Sequence, residues 1–187
     1  MLSPIIWFCL TKLAQCILGY SFRFKKQWTE PIPIVEPLNT DKGKLASLAK
    51  LCQDMAFERL KVRKQFVDFV GSEIRQFYKS ASTNPDFNEV SPGSDVNKFD
   101  TLTWDEFCSR AQTGAAYGRP FKEYTGSLKN KSALKQYFED TKASCANLSA
   151  QIHKAEDEIN SIVYKLYDLT PDEITLLKDL TQGIYED

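Results

Sequence analysis

Few residues in this sequence could do bond-making chemistry. Its 187 positions hold one histidine, His153, and five cysteines at 9, 16, 52, 108 and 145. A zinc site needs thiolates or imidazoles at short, clustered spacing. These cysteines are scattered, so no structural metal is expected. Serine or cysteine catalysis would have to use His153, which lies in Ala150-Gln-Ile-His-Lys-Ala-Glu156 among charged neighbours. That is the setting of a surface helix. The sequence has no GxGxxG and no GxxxxGK[ST] phosphate loop. Asp105-Glu106, Glu139-Asp140 and Asp157-Glu158 are adjacent carboxylates. Adjacent helical positions face different ways, so these are poor acid–base pairs. No active site and no cofactor are expected in this chain.

The basic and aromatic residues point instead to binding. Tyr20 to Trp28 interleaves Arg23, Lys25 and Lys26 with four aromatics. Such a segment can lay cations on phosphates while aromatics anchor it. Arg23 and Gln27 are of the types that read guanine and adenine edges. A strand with an aromatic inner face and a solvated basic outer face would look the same. A second cluster, Arg59, Lys61, Arg63 and Lys64, falls mid-helix and reads equally as a solvated helix face. A third candidate is Arg119, in Tyr117-Gly-Arg-Pro-Phe-Lys122.

The elements carrying these residues are mainly helical. Residues 5–18 suggest a helix with Ile5, Phe8, Cys9, Leu13, Cys16 and Ile17 on one face, opened by Pro4 and closed by Gly19. Lys12 and Gln15 interrupt it as a membrane span, so it reads as an amphipathic helix packed on a domain. Residues 20–25 alternate as a half-buried strand. Pro31, Pro33 and Pro37 then force an extended segment. A long helix follows over 44–78, its apolar seam broken only at Arg59. Residues 81–126 read as a loop insert, except for a short helix capped by the Thr103–Glu106 box. A second long helix covers 127–167, and Thr170-Pro-Asp-Glu173 opens a last short one. The expected fold is mainly α: a long antiparallel helical hairpin with a small β or extended element near the N-terminus.

Two stretches together resemble one family. Gly19-Tyr-Ser-Phe-Arg-Phe-Lys-Lys-Gln-Trp-Thr-Glu-Pro-Ile-Pro-Ile34 is similar to the end of the target-recognition region of type IIG restriction–modification enzymes and related adenine-specific DNA methyltransferases. Glu158-Ile-Asn-Ser-Ile-Val-Tyr-Lys-Leu-Tyr-Asp-Leu-Thr-Pro-Asp-Glu-Ile174 resembles their C-terminal tail, and Leu134-Lys-Gln-Tyr-Phe138 fits upstream of it. The resemblance implies a parent enzyme that binds S-adenosylmethionine, flips an adenine and methylates it. The Asn-Pro-Pro-Tyr-type tetrapeptide and the glycine-rich cofactor loop needed for this do not occur here. It therefore implies a C-terminal, non-catalytic piece, with 1–40 as the remnant of a recognition domain and 41–187 as the bracing hairpin. Duplex DNA would be one partner, and a methyltransferase domain or subunit another. A module that docks on such a subunit without touching DNA is the alternative.

The whole-chain balance of 24 Lys+Arg against 25 Asp+Glu argues at first against a nucleic-acid binder. The balance conceals an asymmetry. Residues 1–80 hold 13 Lys+Arg and 7 Asp+Glu, while residues 81–187 hold 11 and 18. The basic half carries the recognition-like strand. Scattered thiols suit a reducing cytosol, so a cytoplasmic protein without a membrane partner is expected.

Overall fold

A computed structural model describes residues 4–13, 16–17, 21–22, 26–81, 94–113 and 118–181. The fold is mainly α. In order come α1 (Pro4–Leu13), β1 (Cys16–Ile17), β2 (Ser21–Phe22), α2 (Lys26–Thr29) and α3 (Asn39–Ala81). A 3-10 segment (Ser94–Thr101), α4 (Trp104–Thr113), α5 (Gly118–Gly126), α6 (Leu128–Leu166) and α7 (Pro171–Thr181) follow.

The chain forms two compact units. One combines Met1–Lys50 with Lys154–Asp187, and the other is Leu51–His153. Residues 1–40 belong with the C-terminal segment, and α3 and α6 each contribute to both units.

In the Leu51–His153 unit, α3 and α6 run antiparallel. Cys52 donates its S–H to the Ile152 carbonyl at 3.9 Å, Arg59 Nη1 donates to Ser149 Oγ at 2.9 Å, and the Phe69 and Tyr137 rings are 4.5 Å apart. Numbers fall on one helix as they rise on the other. The core is filled by Phe66, Val70 and Ile74 of α3, by Leu134, Phe138 and Cys145 of α6, and by Phe99, Leu102, Trp104, Phe107, Phe121 and Tyr124 from between them. The intervening segment is therefore a core supplier. The 3-10 segment is pinned by Arg63, and Lys142 Nζ donates to the Leu102 carbonyl at 2.6 Å.

The composition of residues 113–126 predicts a loop, and α5 corrects this. Gly118 and Pro120 suggest a break, yet both open a helix. Pro120 falls in its first turn, where a missing N–H costs nothing. Gly118 lies against the end of α4: a Cβ there would sit 2.0 Å from the Gln112 carbonyl oxygen. Only glycine fits that approach.

In the other unit, Ile5 of α1, Tyr164 of α6 and Leu177 of α7 form a small core with Phe8, Cys9, Val163, Leu169 and Ile174 around it. Lys44 and Glu158 lie 3.9 Å apart, which again sets α3 and α6 antiparallel. The extended Pro-rich segment is held by Tyr167, whose hydroxyl donates to the Pro33 carbonyl at 2.5 Å. Of the predicted helix over 5–18, α1 ends at Leu13 and Cys16–Ile17 is a strand. Of the predicted strand over 20–25, only Ser21–Phe22 is described: Cys16 pairs with Phe22 and Ile17 with Ser21 in an antiparallel two-residue ladder, and Lys26–Thr29 is helical.

α6 ends on a Schellman motif. Leu169 N–H donates to the Tyr164 carbonyl and Asp168 N–H to the Lys165 carbonyl, both at 3.1 Å. Asp168 takes φ 53°, the left-handed position usually given to glycine. Leu169 and Tyr164 share the small core, which supplies the apolar contact of that motif.

The predicted capping box at Thr103–Glu106 forms, and the predicted helix start at Thr170–Glu173 closes into a second one. Thr103 N–H donates to Glu106 Oε2 at 2.8 Å and Thr170 N–H to Glu173 Oε2 at 2.8 Å, with the reciprocal Glu N–H to Thr Oγ1 contacts at 3.3 and 3.4 Å. These bonds favour the carboxylate, so both Glu side chains titrate below the ordinary glutamate range, first because of the Thr backbone N–H. A depressed acid pKa adds stability above the unfolded value and loses it as pH falls through the folded one. Acidification from pH 5 towards 3 is expected to fray the first turns of α4 and α7 before the long helices melt. Residue-resolved NMR titration would show this, and the Thr103→Val variant should return Glu106 towards its ordinary value. The return should be partial, because valine keeps the backbone N–H that lowers Glu106 most, and an unchanged titration would refute the part played by the Thr103 hydroxyl.

Candidate binding surfaces

Of the nine residues singled out from the sequence, seven are described, and they fall in both units. Arg23 and Lys25 lie outside the described residues. Lys26 is exposed at the start of α2, and Gln27 follows it in the same turn. The mid-helix cluster splits in two, as helical geometry requires. Arg59 and Arg63, one turn apart, point towards α6 and the insert. Arg59 is half-buried on Ser149, while Arg63 donates from Nε and Nη2 to Asp100 Oδ2 at 2.9 and 2.5 Å. The Arg63 and Asp100 side chains are only 22% and 8% exposed. Both guanidinium groups are thus engaged within the fold. Lys61 and Lys64 remain on the outer side, Lys61 at 3.4 Å from Glu58. Arg119 is on the exposed side of α5, 2.9 Å from Glu123 one turn on.

The described cavities hold no converging catalytic set. One, of about 350 Å³, is lined by Asp157, Asn160, Ser161, Tyr164, Lys165 and Lys178 among others. The other, about 270 Å³, is apolar and lies between Ile5, Phe8 and the leucines of α7. Among the described residues, no three His, Cys, Asp or Glu side chains are placed to hold a metal ion. His153 is exposed on α6. The thiols of Cys9, Cys52, Cys108 and Cys145 are free of disulfides. Burial pushes Cys108 up to about 11, against the pull of Lys131 and Lys135 and with the push of Asp105. A thiol so placed is a poor nucleophile.

Two surfaces are not apparent from the sequence. The first is on α3, where Phe57 is 63% and Leu60 55% exposed, one turn apart. Both lie on the side of α3 turned away from its buried face of Phe66, Val70 and Ile74. The regular spacing of the buried seam hides that side. The second is basic. Residues 107–138 hold six Lys+Arg (110, 119, 122, 129, 131 and 135) against a single acid, Glu123. Residues 139–187 hold 4 Lys+Arg against 11 Asp+Glu, and the average over the C-terminal half conceals the contrast.

Among the described residues, no helix is long and apolar enough to cross a membrane. No curated protein and no solved structure matches the chain. Residues 38–163, covering all of α3, the insert and most of α6, match the family model described as Domain of unknown function (DUF8810). That stretch contains the whole Leu51–His153 unit with its aromatic core and both of these surfaces, and the chain belongs to the DUF8810 family.

Proposed function

We propose that the chain is a non-catalytic helical module that docks on a partner protein through the outer side of α3. The observation carrying this reading is the exposure of Phe57 and Leu60 on a helix whose buried face is already filled. Contiguous exposed apolar side chains on a helix suit the flank of another helix. The resemblance of the two terminal stretches to restriction–modification enzymes suggests the partner: an adenine-specific methyltransferase domain or subunit, which would bring S-adenosylmethionine and the chemistry. Free thiols support a cytoplasmic setting.

A second reading makes the chain the DNA-binding, specificity portion of such an enzyme. The exposed Lys26, Lys61 and Lys64 support it.

Co-expression with an adenine methyltransferase of the same genome tests the docking reading. The two proteins are expected to co-elute on size exclusion, and Phe57→Ser with Leu60→Ser should abolish co-elution. Neither residue belongs to a buried core, so stability should change by less than about 0.5 kcal/mol for each substitution. Docking by α3 is wrong if the double variant still co-elutes.

A further inference from the structure

The basic stretch 107–138 folds into one corner of the Leu51–His153 unit. Phe107 of α4 lies 5.1 Å from Phe138 of α6, ring centre to ring centre, which sets α4 against the part of α6 that leads back to Lys135 and Lys131. α5 leads into α6 through a tight turn: Ser127 N–H and Asn130 Nδ2 both donate to the Tyr124 carbonyl at 3.4 Å. The rings of Phe107 and Phe121, 5.8 Å apart, hold α4 on α5 from below. Lys122, Lys129, Lys131 and Lys135 are all exposed on this frame. The ion pairs among the described residues involve none of these four.

Their placement works against the helix. Lys129 and Lys131 stand near the start of a 39-residue helix with no acid in its first turn. Cations there are disfavoured by the backbone dipoles. A local conflict of this kind marks a residue kept for something other than stability. Polyanions are the ligand class that would relieve it. A membrane surface needs an apolar face to insert, and the corner offers one large exposed apolar side chain, Leu128. Single strands need exposed aromatics for stacking. Phe107, Phe121 and Tyr124 are buried, so the described part of the corner lacks them.

We propose that this corner grips the phosphodiester backbone of duplex DNA through Lys122, Lys129, Lys131 and Lys135. The contact is independent of sequence, because lysines on phosphate position a protein without reading bases. It deepens the second, DNA-binding reading and does not depend on docking through α3.

The test uses the full chain alone with a fluorescent 25-base-pair duplex, measured by anisotropy across a salt series. Each lysine that neutralises a phosphate adds roughly 0.9 to the slope of log K against log salt. The Lys129→Gln, Lys131→Gln, Lys135→Gln variant is expected to lose about 2–3 from that slope, with an unchanged or slightly higher melting temperature. A control with the same charge change, Lys154→Gln, Lys165→Gln, Lys178→Gln, should keep the wild-type slope. Equal losses in both variants would mean a generic charge effect and overturn the proposal. So would a loss confined to Lys61→Gln with Lys64→Gln, which would move DNA contact to α3 and leave the DNA-binding reading standing. Absence of binding at 20 mM salt overturns both. Binding to phosphatidylserine vesicles in preference to the duplex would overturn the corner in favour of a membrane.

Discussion

Replacing Asp100 by alanine is expected to destabilise the Leu51–His153 unit by about 3 kcal/mol, the low end of the cost of removing one member of a buried ion pair. Asp100 is the better buried partner and accepts two N–H groups from Arg63. Without it the guanidinium is left against Cys145 and the 3-10 segment with little water to take the carboxylate's place. The low end applies because Arg63 keeps 22% of its side chain in solvent. The pair is also imperfectly satisfied: Asp100 Oδ1 and Arg59 Nε are buried without a hydrogen-bond partner among the described residues. A half-satisfied polar network is worth less than apolar packing of the same shape. Arg63→Met combined with Asp100→Leu should therefore recover most of the loss. Urea unfolding of the three variants measures it. If Asp100→Ala unfolds within about 0.5 kcal/mol of wild type, or the double variant is no better than the single, the pair does not hold the insert on α3.

The helices with long, regular apolar spacing are legible in the sequence, and so are the capping box at Thr103–Glu106 and the helix start at Thr170–Glu173. Their signals are local: a period of 3.6 residues, or a Thr and a Glu three apart. Apart from α4 behind its capping box, the insert is not legible. Phe99, Phe107 and Phe121 are fully buried, but they come from short elements set among glycine, proline and polar residues. What makes α5 a helix is its packing on α4 through Gly118, and no local pattern encodes such a contact. The basic residues are legible as residues but not as a surface. Arg59 interrupts the apolar seam, and that interruption is already the sign that its side chain faces α6. Arg63 lies one turn further along the same face. The corner lysines need the fold, because residues on α5 and α6 become neighbours only after the turn at Tyr124–Ser127 closes.

The largest single loss should come from Phe66→Ala. Phe66 is fully buried where α3, α6 and the insert meet. Its ring stacks on Phe99 at 3.9 Å between centroids and lies 5.6 Å from both Phe107 and Tyr137 and 6.0 Å from Phe138. Truncation removes the apolar transfer energy, leaves a cavity that four neighbours on three elements must close, and breaks the edge and stacking contacts at once. Phenylalanine-to-alanine changes in such cores cost about 3–5 kcal/mol, a large share of the stability of any domain. Phe66→Leu should cost markedly less, because most of the volume stays. Trp104 reports on the outcome, since its ring sits 5.5 Å from Phe138 and 5.7 Å from Phe107 in the same cluster. The alanine variant is expected to shift and broaden tryptophan emission at low urea while far-UV helicity persists, because α3 and α6 also meet through Cys52 and Arg59. A loss under about 1 kcal/mol would mean that the insert packs on α3 without needing this ring, and the aromatic cluster would then be a consequence of the hairpin and not its cause.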